Sequence, residues 1–322
     1  MPRIRVCLLA LLSLLVAHEG VFAETGADFK RREQFVDVPG GRVWTLTINP
    51  GAGGVPLLVV HGGPGATHEY LADLAALADK RPVVFYDQLD CGDSPRSGDP
   101  AQWTAERAVA ELDAVRQGLG LAQVHLLGQS WGGAVCASYV IDTGGPGVRS
   151  LILAAPLLSS ARWAADQRAW LEQLPAPLQA AVQQAEASGD FGGEAYQRAM
   201  DEYYRRHVCR LAPWPDGVQQ AFAHMNAEMY GLMWGPSEFT VTGRLKDFDL
   251  TDRLGGITVP TLLTCGEFDE ATPESMRHFA ARIPGAKVVV FKGGSHMHHL
   301  EQPRLYKHVI EDFLEQVEAG EK

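Results

Sequence analysis

The chain has 322 residues, of which 46% are hydrophobic, enough for one large or two ordinary packed domains, which excludes wholesale disorder. A formal net charge of −11 argues against nucleic acid as a partner and mildly favours cationic ligands. Of the five cysteines, four lie beyond the N-terminal apolar run (Cys91, Cys136, Cys209 and Cys265); scattered and without a CxxC, they exclude a disulfide framework and a structural zinc site.

Arg3 and Arg5 precede an apolar run at 6–17, and Val21-Phe22-Ala23 offers small residues at the two positions a signal peptidase reads. A short apolar run with a basic start predicts a secretory signal, residues 1–23, rather than a membrane span, the alternative being an uncleaved anchor. The expected product is exported, periplasmic or secreted, with no stable membrane association after cleavage. Residues 34–38 and 42–48 alternate about Pro39-Gly40-Gly41 and predict a β-hairpin. The apolar run 56–60 predicts a strand covered on both faces and ends in His61-Gly62-Gly63-Pro64-Gly65. A helical stretch at 70–79 leads to a second buried strand at 83–86, then a helix within 103–118 and a strand at 124–127.

That strand ends abruptly in Gly128-Gln129-Ser130-Trp131-Gly132, followed by the helix-compatible run 134–137. Strand, sharp turn, helix is the geometry that lifts a serine out of the backbone, with glycines where a side chain would collide with its neighbours. A further strand at 151–154 precedes a long stretch of helical spacing, about 159–249, without a buried-strand run. Strand patterns resume at 259–265 and 287–291, and 311–317 belongs to a closing amphipathic helix. The predicted fold is α/β, a mostly parallel, doubly wound sheet interrupted by a helical insertion. Its expected division is a core of 24–157 and 250–322 with a cap of 158–249.

A serine hydroxyl needs a base, and the base needs an orienting acid. Functional groups in an open parallel sheet gather at strand carboxyl ends. The strand at 261–265 runs into Gly266-Glu267-Phe268-Asp269, and that at 287–291 into Gly293-Gly294-Ser295-His296. The order Ser130, Asp269, His296 is that of the α/β-hydrolases. His298 is the alternative base, and His299 is expected to pack or to face solvent. The histidine cluster lacks a carboxylate at metal-binding spacing, so no metal or other cofactor is expected. The amides of Gly63 and Trp131 are the candidate oxyanion donors.

His61–Gly65, Phe85-Tyr86-Asp87-Gln88, Cys91-Gly92-Asp93-Ser94, residues 128–133 and 266–273 together resemble the proline iminopeptidase family of serine peptidases. Residues 235–243, followed by Leu245-Lys246-Asp247-Phe248-Asp249, are similar to a cap motif of its tricorn-interacting aminopeptidase branch. The likeness runs from about Phe35 to Phe313. It implies an enzyme that releases N-terminal residues, proline or other small apolar ones, from short peptides. It also implies that Glu238 and Glu270, with Tyr230 nearby, hold the substrate's free α-ammonium group. Partners would be short peptides, or amino-acid amides or esters, with a free amine. An amino-acid amidase or esterase, or a general esterase or lactonase, would use the same triad. The signal sequence departs from intracellular members of that branch and points to scavenging outside the cytoplasm.

Overall fold

The computed structural model describes residues 29–320, so the expected signal sequence lies outside the described residues. The chain opens with β1 (Arg31–Val38) and β2 (Gly41–Ile48), an antiparallel hairpin whose turn needs Gly40 at φ +93°. β3 (Leu57–Val60) and β4 (Val83–Tyr86) follow, every residue of each buried. Between them lies a 3₁₀ helix, His68–Leu77, where the spacing predicts a helix at 70–79. Spacing alone does not separate the two windings, because neighbours three residues apart share a face in both.

Helix α1 (Ala105–Gly118) begins after Thr104, whose hydroxyl accepts from the Arg107 amide. Next come β5 (Val124–Gln129), α2 (Trp131–Thr143) and β6 (Val148–Ala154). Five α-helices and a short 3₁₀ helix, Thr251–Gly256, then precede the next strand: α3 (Ser160–Leu171), α4 (Ala176–Ser188), α5 (Glu194–His207), α6 (Asp216–Ala223) and α7 (Ala227–Met233) come before the 3₁₀ turn. The fold closes with β7 (Thr261–Gly266), α8 (Pro273–Ala280), β8 (Lys287–Phe291), the short α9 (His298–Glu301) and α10 (Pro303–Ala319). Beyond the hairpin, which runs antiparallel, the sheet is parallel, in the order β1-β2-β4-β3-β5-β6-β7-β8. The order reverses at β3, beside β5, where doubly wound sheets open a crevice at the strand ends.

Each sheet face carries its own core. Leu112, Val115, Ala134, Val135, Met276 and Phe279 cover one face. Leu71, Leu74, Tyr306, Ile310 and Leu314 cover the other. The helical insertion leaves and re-enters the core at one point. Ser159 and Asp249 form an antiparallel bridge there, the Ser160 amide donates to Phe248 O (2.8 Å) and the Leu250 amide to Leu158 O (2.8 Å). Beyond this clasp the insertion is hydrogen-bonded to the loops after β3, β4, β7 and β8, at Gly65, Asp90, Asp269 and His296.

Cys91, Cys136, Cys209 and Cys265 are all buried free thiols, Cys136 and Cys265 as their apolar surroundings predict. Among the described residues no helix is long and apolar enough to cross a membrane.

Candidate active site

Ser130 stands between β5 and α2 at φ 54°, ψ −121°, a conformation that costs a non-glycine residue free energy unless its surroundings hold it. They do. Its amide donates to Ala154 O (2.9 Å) on β6, and its carbonyl accepts from the amides of Gly133 (2.9 Å) and Leu157 (3.1 Å). A Cβ on Gly128 would lie 2.3 Å from Gly132 O, and one on Gly132 2.1 Å from Val60 O. Both contacts are with backbone, so neither can relax cheaply. Gly132→Ala is therefore expected to destabilise the fold by about 3 kcal/mol or more, checked by denaturant melts.

Ser130, His296, Glu238 and Glu270 line one cavity, with Gly63, Tyr70 and Gln129. His296 Nδ1 lies 2.8 Å from Asp269 Oδ1. The Gly266 amide (3.0 Å) and the Ala271 amide (2.9 Å) also donate to the Asp269 carboxylate, which is fully buried. Burial alone would raise that carboxyl's pKa. The neighbouring His296 charge and hydrogen bond outweigh it and hold the group well below the ordinary range. The Ser130 hydroxyl and His296 are not hydrogen-bonded to each other among the described residues; such contacts commonly tighten only when substrate arrives.

The competing histidines have other hydrogen-bond partners, although His298 Nδ1 also lies 3.6 Å from Asp269 Oδ2. His298 places Nε2 3.0 Å from Thr264 Oγ1 and Nδ1 3.2 Å from Ser295 O. His299 Nε2 lies 2.9 Å from Tyr70 O, and burial pushes its pKa down to about 3. The His296 loop is fixed from the insertion, because the amides of His296 and Met297 donate to His207 O (3.0 Å) and Val208 O (2.9 Å). The Trp163 indole meets the His296 imidazole edge-on, at 5.8 Å and 84°.

The Gly62 amide donates to Tyr70 Oη (2.7 Å), and Gly63, the expected oxyanion donor, lines the cavity. Gln88 ties the loop to the serine helix. Its amide donates to His61 Nε2 (3.0 Å), its carboxamide nitrogen to His61 O (2.7 Å), and its carboxamide oxygen accepts from Trp131 Nε1 (3.1 Å). Trp131 N heads α2, where helix-start amides face a developing negative charge.

Glu238 comes from the segment after α7. Its carboxylate accepts from Tyr230 Oη (2.7 Å), its amide donates to Tyr204 Oη (3.3 Å), and its carbonyl accepts from Trp163 Nε1 (3.1 Å). Glu270 is fully buried, and neither of its carboxylate oxygens has a hydrogen-bond partner. Its nearest basic atom is His296 Nε2 at 3.9 Å. Burial raises the pKa of both glutamates, and the charges of Glu238 and Asp269 push Glu270 further up. Two desolvated carboxylates beside a nucleophile and a base make a strongly anionic pocket.

Residues 55–303 match the family model for the α/β hydrolase fold. The chain is 43% identical to the proline iminopeptidase of Heyndrickxia coagulans over 286 residues, 88% of this chain and 99% of that one. It belongs to the proline iminopeptidase family. The crystal structure of proline iminopeptidase from Mycobacterium smegmatis superposes with a TM-score of 0.83 at 38% identity, covering 90% of this chain and all of the other. The crystal structure of VinJ gives a TM-score of 0.85 at 34% identity, covering 89% and 99%. Like its relatives the chain is a serine hydrolase.

Several residues around this family site escape a reading of motifs alone. Gln88 sits in a motif that shows the resemblance without showing its role as the tie between loop and helix. Tyr70, Trp163 and Tyr204 lie in stretches whose only sequence signal is helical spacing. Among the described residues, His68, Asp87 and Asp93 bring possible metal-ligand atoms within 4.8 Å of one another. The Asp87 carboxylate already accepts from the amides of His68 (2.7 Å) and Asp93 (2.9 Å) and contacts the His68 ring. The trio braces the loop after β4.

Proposed function

We propose that the protein is a prolyl aminopeptidase that releases N-terminal residues, proline or other small apolar ones, from short peptides through an acyl-enzyme. The observation that carries this reading is Glu270, a buried carboxylate without a hydrogen-bond partner in the cavity that Ser130 and His296 also line. With Glu238 it forms an anionic pocket suited to a free α-ammonium group. An acylated amine, neutral and larger, gains nothing there.

With the ammonium held, the first carbonyl carbon lies against Ser130. His296 Nε2 takes the hydroxyl proton as Oγ attacks. The Gly63 and Trp131 amides receive the charge that develops on the carbonyl oxygen, while Asp269 keeps the imidazole oriented. His296 then passes the proton to the departing amine as the C–N bond breaks. Water, deprotonated by the same imidazole, attacks the ester; the bond to Ser130 Oγ then breaks, the imidazolium returns its proton to that oxygen, and the amino acid is freed. We further propose that the enzyme works outside the cytoplasm after residues 1–23 are removed, an inference from Arg3, Arg5 and the apolar run that follows.

The test is a hydrolysis panel on protein beginning at Glu24. Prolyl, alanyl and phenylalanyl anilides and amides are compared with their N-acetylated forms and a short acyl ester. The expected result is loss of nearly all turnover on acetylation. Indifference to acetylation would make this a general amidase, and action on the ester alone an esterase; either would overturn the reading.

A further inference from the structure

Gln129, the residue before the serine, is 1% exposed and lines the active-site cavity. Its side chain does not point at random. The Gly62 amide can only donate, and it donates to Tyr70 Oη, so the tyrosine's own proton goes to its remaining partner, Gln129 Oε1, at 2.6 Å. That bond fixes which end of the carboxamide is oxygen. The other end, Nε2, is buried and has no partner. A Cβ built on Gly62 would lie 2.9 Å from both Gln129 Oε1 and Ser130 Cβ, so the carboxamide sits beside the nucleophile.

Alternation along β5 puts Gln129 on the same sheet face as Leu127, which packs in the core formed with Tyr70. The cavity wall on that face is apolar: Ala66, Val208, Ala221, Phe222, Met225 and Met297. An unanswered N–H donor beside an apolar wall favours a guest group that is compact and apolar but carries one acceptor oxygen. With the ammonium held by the glutamates, as the proposed function has it, the first residue's side chain is the group taken to face Gln129.

We propose that Gln129 is a specificity-determining residue whose Nε2–H donates to a hydroxyl on the substrate's first side chain, so that among small residues threonine is taken in preference to valine. The inference rests on the aminopeptidase reading above. Threonine and valine are nearly isosteric, so the comparison isolates the hydrogen bond. A site built to hydrogen-bond a hydroxyl discriminates strongly against the analogue that lacks it, because the buried donor is then left unpaired.

The experiment measures kcat/KM for threonyl and valyl arylamides with free amines, on wild type, Gln129→Met and Gln129→Glu. Wild type is expected to favour threonyl by about tenfold or more, and Gln129→Met to bring the ratio near one. Gln129→Glu, which replaces the donor with an acceptor, should lower the ratio too. Labelling of Ser130 by a fluorophosphonate reports whether each variant is folded and competent; if a variant fails this check, the wild-type ratio still decides. A wild-type ratio near one, or a preference that survives in a competent Gln129→Met, overturns the proposal. If wild type hydrolyses neither free-amine substrate but cleaves a neutral acyl ester, the aminopeptidase reading fails and this inference falls with it.

Discussion

Ser130→Ala is expected to lower turnover about 10⁶-fold, the loss typical of a removed serine nucleophile, and to leave stability within about 0.5 kcal/mol of wild type. The two halves of this expectation come from different parts of the same turn. What holds residue 130 at φ 54° is backbone and glycine: its amide on Ala154 O, its carbonyl on Gly133 and Leu157, and the side-chain-free positions 128 and 132. Alanine keeps the Cβ and all of those contacts. The hydroxyl makes no hydrogen bond to His296 in the free enzyme, so its removal breaks no bond of the triad. Steady-state hydrolysis of a prolyl arylamide, a fluorophosphonate labelling assay and a thermal melt check the three parts. Retention of a tenth of the activity, or continued labelling at another residue, would remove Ser130 from the mechanism.

The turn at Ser130 and the placing of Asp269 and His296 after neighbouring strands were legible in the sequence because backbone geometry dictates them. Gly128 and Gly132 are glycines because a Cβ at either would meet backbone oxygen at 2.3 or 2.1 Å. The strands that carry Asp269 and His296 announce themselves as apolar runs ending at polar loops. In sequence His296 stands out from His298 and His299 as nearest the strand, directly after a Gly-Gly-Ser turn and ahead of a helix lead-in; in the structure Thr264 and Ser295 hydrogen-bond the His298 ring and Tyr70 the His299 ring. The winding of 68–77, the start of β6 at Val148 and the full length of α10 were not legible. Spacing does not separate 3₁₀ from α winding, and the mixed Val148-Arg149-Ser150 start of β6 hides its strand. Long-range ties were equally hidden. No local pattern tells that Gln88 joins His61 to Trp131, or that Tyr70 orients Gln129, because those contacts depend on how β3, β4 and β5 lie side by side. The glutamates lie between these cases. Their positions were given by resemblance, but the missing partner of Glu270 could be seen only once the cavity was built.

Glu270→Gln is expected to lower kcat/KM for unblocked aminoacyl substrates by about 10²–10³-fold, as removal of one partner from a buried charge pair does, with a much smaller effect on a neutral acyl ester. The same substitution should stabilise the folded enzyme. Burial, and then the charges of Glu238 and Asp269, raise the Glu270 pKa above the ordinary glutamate value of 4.5. Between 4.5 and that raised value the folded protein holds a proton that the unfolded chain releases. The stability associated with Glu270 is therefore full below 4.5 and is lost as pH rises through the raised pKa. Glutamine has no proton to lose, so the difference in melting temperature between variant and wild type should open in the variant's favour as pH rises above 4.5. The free-amine substrate works in the opposite sense. Its ammonium needs the carboxylate ionised, so kcat/KM for that substrate should fall, relative to the ester, as pH drops through the raised pKa. A glutamate kept for structure would lose stability on substitution and would lose activity equally on both substrates. Loss of activity confined to the free amine, together with a gain in stability, marks a charge that the fold tolerates because the substrate neutralises it.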